Sequence, residues 1–420
     1  MTASNQDPDP CATPEQKLLS VEEARQRILD AVAPVTGDEV LPLRSALGRV
    51  LAEPLHAGID VPGFANSAMD GYAVRGADLA PDGTTELQLT GQAMAGAPFA
   101  GQVEAGQAVR IMTGAVLPEG ADTVVMQERV EVDGDRVRIG AGQKAGANVR
   151  HPGEDIRAGE RVLEAGTRLL PPQLGVIASL GQAEARVRRR LRVAFFSTGD
   201  ELVGLGRPLG PGQIYDSNRY SLHAMLTRLG VEVIDLGVIP DTREAVRAAF
   251  TDAAAQADAV ITSGGVSVGE ADYVKETLEA MGEVDFWRIA MKPGKPLAIG
   301  RLGGARFFGL PGNPVSVMAT FYQFTQPALE KMMGTTPSPP PLLQARTAAP
   351  LKKSPGRLEF QRGWMESAED GGLQVRPTGG QGSHLMTSMS RANCFIILPA
   401  ESNGVEAGET VQVQPFAGLV

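Results

Sequence analysis

The chain of 420 residues contains little of what zinc sites, disulfide frameworks and membrane spans require. Its two cysteines, Cys11 and Cys394, lie far apart, and none of its four histidines stands at metal-ligand spacing from them. No run of about 18 apolar residues occurs, so we expect no transmembrane helix. Residues 1–16 are polar and Pro-rich and lack the basic and apolar regions of a secretory signal, so we expect a disordered tail and a cytoplasmic protein.

Basic and aromatic residues are also in short supply. Lys and Arg together number 39 against 49 Asp and Glu, which gives a formal charge of −10. This balance argues against nonspecific binding to nucleic acid or to an anionic membrane, and any anionic ligand must be held by local cations. Aromatic residues make up only 5%, so we expect cores of Val, Leu, Ile and Ala, while 50 Gly and 30 Pro predict many turns and much β structure.

Three kinds of pattern follow one another along the chain. The segment SVEEARQRILDAVA (20–33) has an apolar stripe behind a capping box, which predicts an amphipathic helix. From about residue 63 to 190, short alternating strands separated by Gly and Pro predict a β-rich region. From Leu191, apolar strand-length runs alternate with helical segments, which predicts a βαβαβα unit with an open, mostly parallel sheet. After the Pro-rich linker PSPPP, residues 342–420 predict a small C-terminal β domain.

Polar residues at the predicted helix starts of the α/β region are candidate N-caps. Ser217 opens the first helix, which Gly230 would end, and Asp241 and Asp272 open the next two. Asn313 would cap the last helix. Ligands of an open parallel sheet bind outside the carboxyl ends of its strands. We therefore expect the functional site in the loops that follow Ser197, Leu236, Thr262 and Leu310.

One of these loops is rich in glycine. The segment ITSGGVSVGEAD (261–272) runs from a predicted strand through Gly264, Gly265 and Gly269 to a helix start. Small residues at a helix N-terminus suit a phosphate cradle, and they suit a tight turn without a ligand equally well. No Gly-Lys-Ser/Thr follows, so the loop is not a Walker A motif.

Three cations are clustered at the same predicted edge: Arg288, Lys292 and Lys295. They surround a Pro-Gly turn and either bind a polyanion or form a solvated basic loop.

Three carboxylates also follow predicted strands of this sheet: Glu201, Asp241 and Asp272. For each alone, a capping role is the simpler interpretation. Three carboxylates that face a cationic loop are, however, what a magnesium–phosphate site requires.

Ten motifs together resemble, in content and in order, the molybdopterin molybdenumtransferase family, which includes the bacterial MoeA proteins and the E domain of gephyrin. The matching stretches are PGFANSAMDGYAVR (62–75), RIMTGA (110–115), GEDI (153–156), FFSTGDEL (195–202), YDSNRY (215–220), TSGGVSVGEADY (262–273), KPGKPLA (292–298), LPGNPVS (310–316), FQRG (360–363) and QGSHLMTSMS (381–390).

The resemblance implies an elongated, L-shaped protomer of four domains, in which a β domain is inserted into the first domain. The implied divisions are a mixed N-terminal domain at 17–60 and 150–190, an inserted β-rich domain at 61–149, an α/β molybdopterin-binding domain at 191–335 and a C-terminal β-barrel-like domain at 340–420. It also implies a homodimer whose sites combine the α/β domain of one subunit with the inserted domain of the other. The implied reaction inserts molybdenum from molybdate into adenylylated molybdopterin, releases AMP and uses Mg²⁺.

Motif matches assign the site residues. The implied catalytic residues are Asp70, Thr113, Asp155, Glu201, Asp241 and Asp272. The implied substrate-binding residues are Ser263, Gly264, Gly265, Ser267, Arg288, Lys292, Lys295, Pro311, Pro314, Arg362 and Ser383. Asp241, Asp272 and Ser267 would hold Mg²⁺, and Glu201 and Asp70 would orient or activate water. Oxyanions would bind at Lys292, Lys295, Arg362 and Ser383.

Two other functions stay open at this point. One is the molybdopterin adenylyltransferase that acts one step earlier, and the other is a noncatalytic scaffold like gephyrin. The 62–75 and 360–390 motifs disfavour the adenylyltransferase, which normally lacks them, and the intact carboxylates disfavour a loss of activity. Implied protein partners are a second copy of the chain, the preceding adenylyltransferase, and downstream cofactor-maturation proteins or apo-enzymes; no nucleic acid and no membrane are expected.

Overall fold

The computed structural model describes residues 18–264 and 273–416. Backbone contacts divide the described chain into two compact units. The β unit comprises residues 40–47 and 51–187, and the α/β unit comprises the described residues outside those two ranges. No helix in the described chain is long and apolar enough to cross a membrane. The predicted tail at 1–16 lies outside the described residues.

A six-stranded mixed sheet forms most of the β unit. Its strands lie in the order Thr123–Met126, Gly71–Val74, Gln107–Ile111, Thr85–Ala93, Arg136–Ile139 and Val130–Asp133. Neighbouring residues of a strand enter opposite cores: Tyr72 and Val74 pack on one face, and Ala73 on the other. The prediction of a β-rich region from about residue 63 to 190 is therefore confirmed.

Shorter elements complete the β unit. Asn66–Ser67 pairs with Val149–Arg150, and Leu55–His56 pairs with Arg161–Leu163. The further elements are helix Pro171–Ser179 and the two paired strands Asp38–Pro42 and Glu184–Arg188, most of whose residues fall within the ranges of the unit.

The α/β unit contains a second six-stranded sheet, called here the central sheet. Its strands lie in the order Glu232–Ile239, Arg192–Thr198, Ala259–Ser263, Ala305–Leu310, Pro296–Leu302 and Gly282–Arg288. The first four strands are parallel to one another, and Pro296–Leu302 is antiparallel to both of its neighbours. Phe195 and Phe196 enter different cores on the two faces of the sheet, so the middle strands are buried on both sides. The predicted open, mostly parallel sheet is confirmed.

Two helix starts in this unit differ from the sequence-based expectation by one residue. Helix Ser217–Leu229 is capped by Asp216, whose side chain accepts from the amide of Arg219 at 3.0 Å, and not by Ser217. Ser217 is already helical, whereas an N-cap residue needs a non-helical backbone. The predicted Gly230 ends this helix in the left-handed conformation, with φ of 89°.

The next helix, Arg243–Gln256, is capped by Thr242, whose hydroxyl accepts from the amide of Ala245 at 3.3 Å. Asp241 is therefore not the cap that its position suggests. Helix Tyr273–Met281 follows the undescribed residues, so a cap at Asp272 lies outside the described chain.

The N-terminal helix Val21–Ala31 belongs to the α/β unit. Ser20 caps it as predicted, because its hydroxyl accepts from the amide of Glu23 at 3.0 Å. Its buried residues enter the same core as one face of the central sheet. The last helical segments are Pro314–Thr320, the π-helical turn Phe321–Thr325 and Gln326–Met332. The four-domain division remains a prediction.

The C-terminal strands form a closed barrel of five strands. Leu358–Ser367 pairs with both Leu373–Pro377 and Cys394–Leu398, and this double pairing closes the ring. The ring is completed by Leu343–Thr347 and Thr410–Pro415, and a short helix, Met386–Ser390, lies outside the strands. Met291–Lys292 adds a parallel pair to Leu358–Ser367. The predicted barrel-like C-terminal domain is confirmed.

Candidate active site

The carboxyl ends of five strands of the central sheet emerge at one edge, called here the carboxyl edge. Gly282–Arg288 and Ala305–Leu310 are both antiparallel to Pro296–Leu302, so these two strands run in the same direction as the parallel ones. In register, Arg288 lies opposite Pro296, and Leu310 lies opposite Ser263. The loops that the sequence singles out therefore share this edge with Arg288.

Three carboxylates gather at one end of the carboxyl edge. The backbone amide of Asp241 donates to Oδ1 of Asp200 at 3.2 Å. Partial burial raises the pKa of Asp241, and the negative charges of Asp200 and Glu201 raise it further. Asp200 is not among the site residues predicted from the sequence, although its place beside Glu201 in the motif STGDEL is a signal for it.

Glu201 turns back over Gly199. A Cβ built on Gly199 would lie 2.5 Å from Oε2 of Glu201, and Gly199 has a φ of 148°. Any side chain at Gly199 would thus displace the Glu201 carboxylate. Strands Leu202–Val203 and Ile214–Tyr215 pair just beyond it, where the amide of Ile214 donates to the Glu201 carbonyl at 2.8 Å.

Asn218 joins two loops in the middle of the carboxyl edge. Its Nδ2 donates to Oγ of Ser263 at 2.8 Å and to the carbonyl of Gly312 at 2.7 Å. The amide of Gly264 donates to the carbonyl of Leu310 at 3.2 Å. Asn218 is not among the site residues predicted from the sequence, although it lies in the motif YDSNRY.

Position 264 requires glycine for two reasons. Its φ is 93°, and an added Cβ would lie 3.1 Å from the carbonyl oxygen of Thr198. The predicted residues Gly265, Ser267 and Asp272 lie outside the described residues.

The last helix at this edge begins at Pro314, as expected, but Asn313 does not cap it through its side chain. Instead, the amide of Val315 donates to the carbonyl of Ser383 at 3.0 Å. A loop of the barrel therefore satisfies a free amide of this helix, and this bond places Ser383 beside Pro314 and the Pro311 turn.

Arg362 lies beneath that barrel loop with only 1% of its surface exposed. Its Nη2 donates to the carbonyls of Gly380 and Gly382 at 3.2 and 3.0 Å, and its Nε donates to Oγ of Ser388 at 3.1 Å. Burial lowers the pKa of Arg362 to about 10. These contacts hold the loop that leads to Ser383, while oxyanion binding by Arg362 remains a prediction.

The cationic loop occupies the other end of the carboxyl edge. Arg288 ends its strand there, and the carbonyl of Lys295 accepts from the amide of Ile289 at 2.8 Å. Nζ of Lys292 lies 3.1 Å from Oε1 of Glu359 in the barrel. The alternative of a freely solvated basic loop therefore does not describe Lys292, whose charge is paired.

In the β unit, Asp70 and Thr113 lie together. Oδ1 of Asp70 accepts from the amide and from the hydroxyl of Thr113, both at 2.7 Å. The backbone hydrogen bond, then the hydroxyl and the nearby Arg110, lower the pKa of Asp70. Asp155 lies in an exposed loop of the same unit, where its amide donates to the carbonyl of Val61 at 3.0 Å.

Within residues 18–264 and 273–416, no group of three or more His, Cys, Asp or Glu side chains is arranged to hold a metal ion. Two of the three predicted Mg²⁺ ligands, Ser267 and Asp272, lie outside these ranges.

Comparison with protein families gives three consecutive matches. Residues 19–181 match the MoeA N-terminal region (domain I and II), residues 194–331 match a family described as "Probable molybdopterin binding domain", and residues 344–416 match the MoeA C-terminal region (domain IV).

Two curated relatives and two solved structures are similar over nearly the whole chain. The molybdopterin molybdenumtransferase of Haemophilus influenzae is 48% identical over 405 residues, which are 96% of this chain and 100% of the relative. The protein of the same name from a Nostoc species is 37% identical and covers 89% of this chain and 88% of its own length. Two crystal structures of the molybdopterin biosynthesis MoeA protein from Pyrococcus horikoshii superpose with TM-scores of 0.82 and 0.76, at 30% and 32% identity, and cover 95% and 96% of this chain and 100% of their own.

Proposed function

Because the chain belongs to the molybdopterin molybdenumtransferase family, we propose that it transfers molybdenum from molybdate to adenylylated molybdopterin and releases AMP. As a member of that family it is a transferase of molybdenum cofactor biosynthesis.

The separation of charge along the carboxyl edge carries this proposal. Asp200, Glu201 and Asp241 lie at one end, and Arg288 and the cationic loop lie at the other. The strands that end near Glu201 and at Arg288 are four positions apart, or about 19 Å at roughly 4.8 Å per strand. The proposed reaction cleaves a phosphoanhydride, for which carboxylates would hold Mg²⁺ and orient water. It also binds the oxyanion molybdate, for which cations are needed, so one site must contain an acidic region and a cationic region.

At the acidic end, Glu201, together with Asp70 from the second subunit of the homodimer proposed below, would orient the water that attacks the phosphoanhydride. Asp70 is ionised at neutral pH, and the hydrogen bonds from Thr113 that lower its pKa keep it ionised further into the acid range, so it can accept a hydrogen bond from water. Asp155, in its exposed loop, is proposed as a further site residue.

Mg²⁺ is the proposed cofactor, and the donor chemistry fits it. Asp241 has a raised pKa partly because Asp200 and Glu201 repel its negative charge, and a hard divalent cation would relieve this repulsion. Asp241, with Ser267 and Asp272, would hold the ion. When bound, Mg²⁺ neutralises charge on the phosphate oxygens.

At the cationic end, Lys292 and Lys295 would hold molybdate or phosphate oxygens, with Ser383 and Arg362 from the barrel. Arg288 would contribute a planar guanidinium, whose fork of donors suits an oxyanion. In the middle of the edge, Ser263, Gly264 and Gly265 would contact the phosphates, next to the turn at Pro311 and Pro314, because residues this small let a ligand approach the backbone closely.

We further propose that the chain acts as a homodimer in which Asp70 and Thr113 serve the site of the other subunit. The family resemblance of the motifs supports this arrangement.

The test is to incubate the protein with adenylylated molybdopterin and Mg²⁺, with and without molybdate, and to measure AMP release and molybdenum incorporation. Glu201→Gln should abolish most of both. The matched control is Glu232→Gln, since Glu232 begins a strand at the opposite edge of the same sheet. If AMP and molybdenum-loaded product do not form, the proposal is wrong. In a second assay with ATP and molybdopterin that carries no adenylyl group, consumption of ATP would indicate the adenylyltransferase instead.

A further inference from the structure

We propose that Glu359 of the barrel is a positioning residue for oxyanion binding, and that it holds the Lys292 ammonium where this group meets molybdate. The inference rests on the proposed function, which assigns Lys292 to oxyanion binding. It adds a residue that lies just outside the FQRG motif and has no role in the resemblance.

Lys292 and Glu359 are direct partners in strand register. Strand Met291–Lys292 runs parallel to Leu358–Ser367, and Lys292 lies opposite Glu359. The Glu359 side chain is only 6% exposed, whereas the Lys292 side chain is 48% exposed. A nearly buried carboxylate requires a nearby cation or hydrogen-bond donors. The pair therefore fixes the ammonium of Lys292, while about half of the surface of this side chain still faces solvent.

The other nearby ammonium is already occupied. The negative charge of Glu359 acts to raise the pKa of Lys353, but burial is the largest influence on this pKa and lowers it. Its Nζ donates to the carbonyls of Ser354, Ala400 and Ser402, each at 3.1 Å. An ammonium has three N–H donors, so these carbonyls use all of them. Lys292 thus supplies the cation that contacts Glu359.

Gln361 fixes the carboxylate oxygen that meets Lys292. Its Nε2 donates to the carbonyl of Lys352 at 2.8 Å and to Oε1 of Glu359 at 3.2 Å. A backbone carbonyl can only accept, so this contact sets the orientation of the amide. One N–H of the Lys292 ammonium donates to this fixed oxygen, and the other two N–H groups can donate to a ligand.

A positioning role and a purely electrostatic role of Glu359 predict opposite changes in oxyanion affinity when its charge is removed. Its negative charge, 3.1 Å from the ammonium, offsets the attraction of Lys292 for an anion. If Glu359 acted through charge alone, neutralising it would tighten oxyanion binding. If it holds Lys292 in place, neutralising it weakens binding, because the released side chain must be ordered again when the anion binds.

The experiment measures KM for molybdate and kcat of molybdenum transfer at saturating adenylylated molybdopterin. We expect Glu359→Gln to raise KM about tenfold, equivalent to about 1.4 kcal/mol, with little change in kcat. Glu359→Asp keeps the charge and shortens the side chain, so it should recover part of this loss. In a Lys292→Ala background, Glu359→Gln should have almost no further effect.

The matched control is Glu366→Gln, because Glu366 lies on the same strand as Glu359 and forms an ion pair with Arg376 of the neighbouring strand Leu373–Pro377. Its KM should equal that of the unmodified protein, and urea unfolding of each variant identifies losses due to folding. An unchanged or lower KM in folded Glu359→Gln overturns the positioning role; if that variant does not fold, an unchanged KM in Glu359→Asp overturns it. An unchanged KM in Lys292→Ala instead overturns the assignment of Lys292 to oxyanion binding.

Discussion

The backbone amide of Asp241 donates a hydrogen bond to the carboxylate of Asp200 at 3.2 Å, so acidic residues that follow two different strands lie side by side. Since Thr242 caps the following helix, the Asp241 side chain has no capping role. Burial and like charges raise its pKa, so the folded protein is destabilised when Asp241 ionises.

We expect Asp241→Asn to raise the free energy of unfolding at pH 7 and to leave it nearly unchanged at pH 3. A raised folded-state pKa gives stability that is present below the unfolded pKa of about 3.9 and is lost as pH rises through the folded value. Asn removes this loss. Urea unfolding at both pH values measures the effect, with exposed Asp252→Asn as control; an equal change at both pH values would contradict the explanation.

The same substitution should reduce catalysis. We expect Asp241→Asn to lower Mg²⁺-dependent AMP release at least about tenfold, or about 1.4 kcal/mol in the barrier, because Asn keeps the shape and removes the charge that a hard cation prefers. Steady-state assays over a Mg²⁺ titration check this. Normal turnover at saturating Mg²⁺ would remove Asp241 from the proposed metal site.

Thr113→Val should shift the acid limb of the pH–rate profile to higher pH. The hydroxyl of Thr113 is one of two donors that lower the pKa of Asp70, and Val removes it while the backbone donor stays. Asp70 then protonates at a higher pH, and activity that needs its ionised form is lost earlier on acidification. Thr90→Val in the same sheet is the control, since its hydroxyl donates to a carbonyl. An unmoved acid limb would show that Asp70 does not control it.

Lys292→Ala should destabilise the fold by about 1–2 kcal/mol, because it leaves the nearly buried Glu359 without its cation. The sequence alone predicts almost no cost, since a Lys beside a Pro-Gly turn looks like a surface residue. Adding Glu359→Gln should recover most of the loss. Urea unfolding of both single variants and the double variant measures this, and purely additive losses would argue against the pair.

Mixing Asp70→Ala protein with Glu201→Ala protein should restore part of the activity if homodimer sites combine residues of both subunits. Each heterodimer would then contain one intact site. The measurement is AMP release after mixing, with heterodimer formation checked by differently tagged subunits. Confirmed heterodimers without activity would exclude this arrangement.

Elements with local signals can be predicted from the amino-acid sequence. Ser20 caps its helix and Gly230 ends another, because a hydroxyl at a helix start and a residue without a Cβ at a helix end act within a few positions. Strand Arg192–Thr198 is buried after its first residue, as its apolar run from Leu191 onwards predicts. The sequence motifs also identified the family, and the similarity to curated relatives confirms this assignment.

Contacts between side chains that are distant in the sequence depend on the packing of the folded chain. Lys292 and Glu359 are brought together by strand register, and Ser383 reaches the helix at Pro314 through a loop that buried Arg362 holds. Near the helix starts, Asp216 and Thr242 replaced the neighbouring residues as caps, which left Asp241 beside Asp200. Periodicity and capping depend on neighbours along the chain, whereas ion pairs and burial depend on how separate segments pack, and no local pattern encodes that.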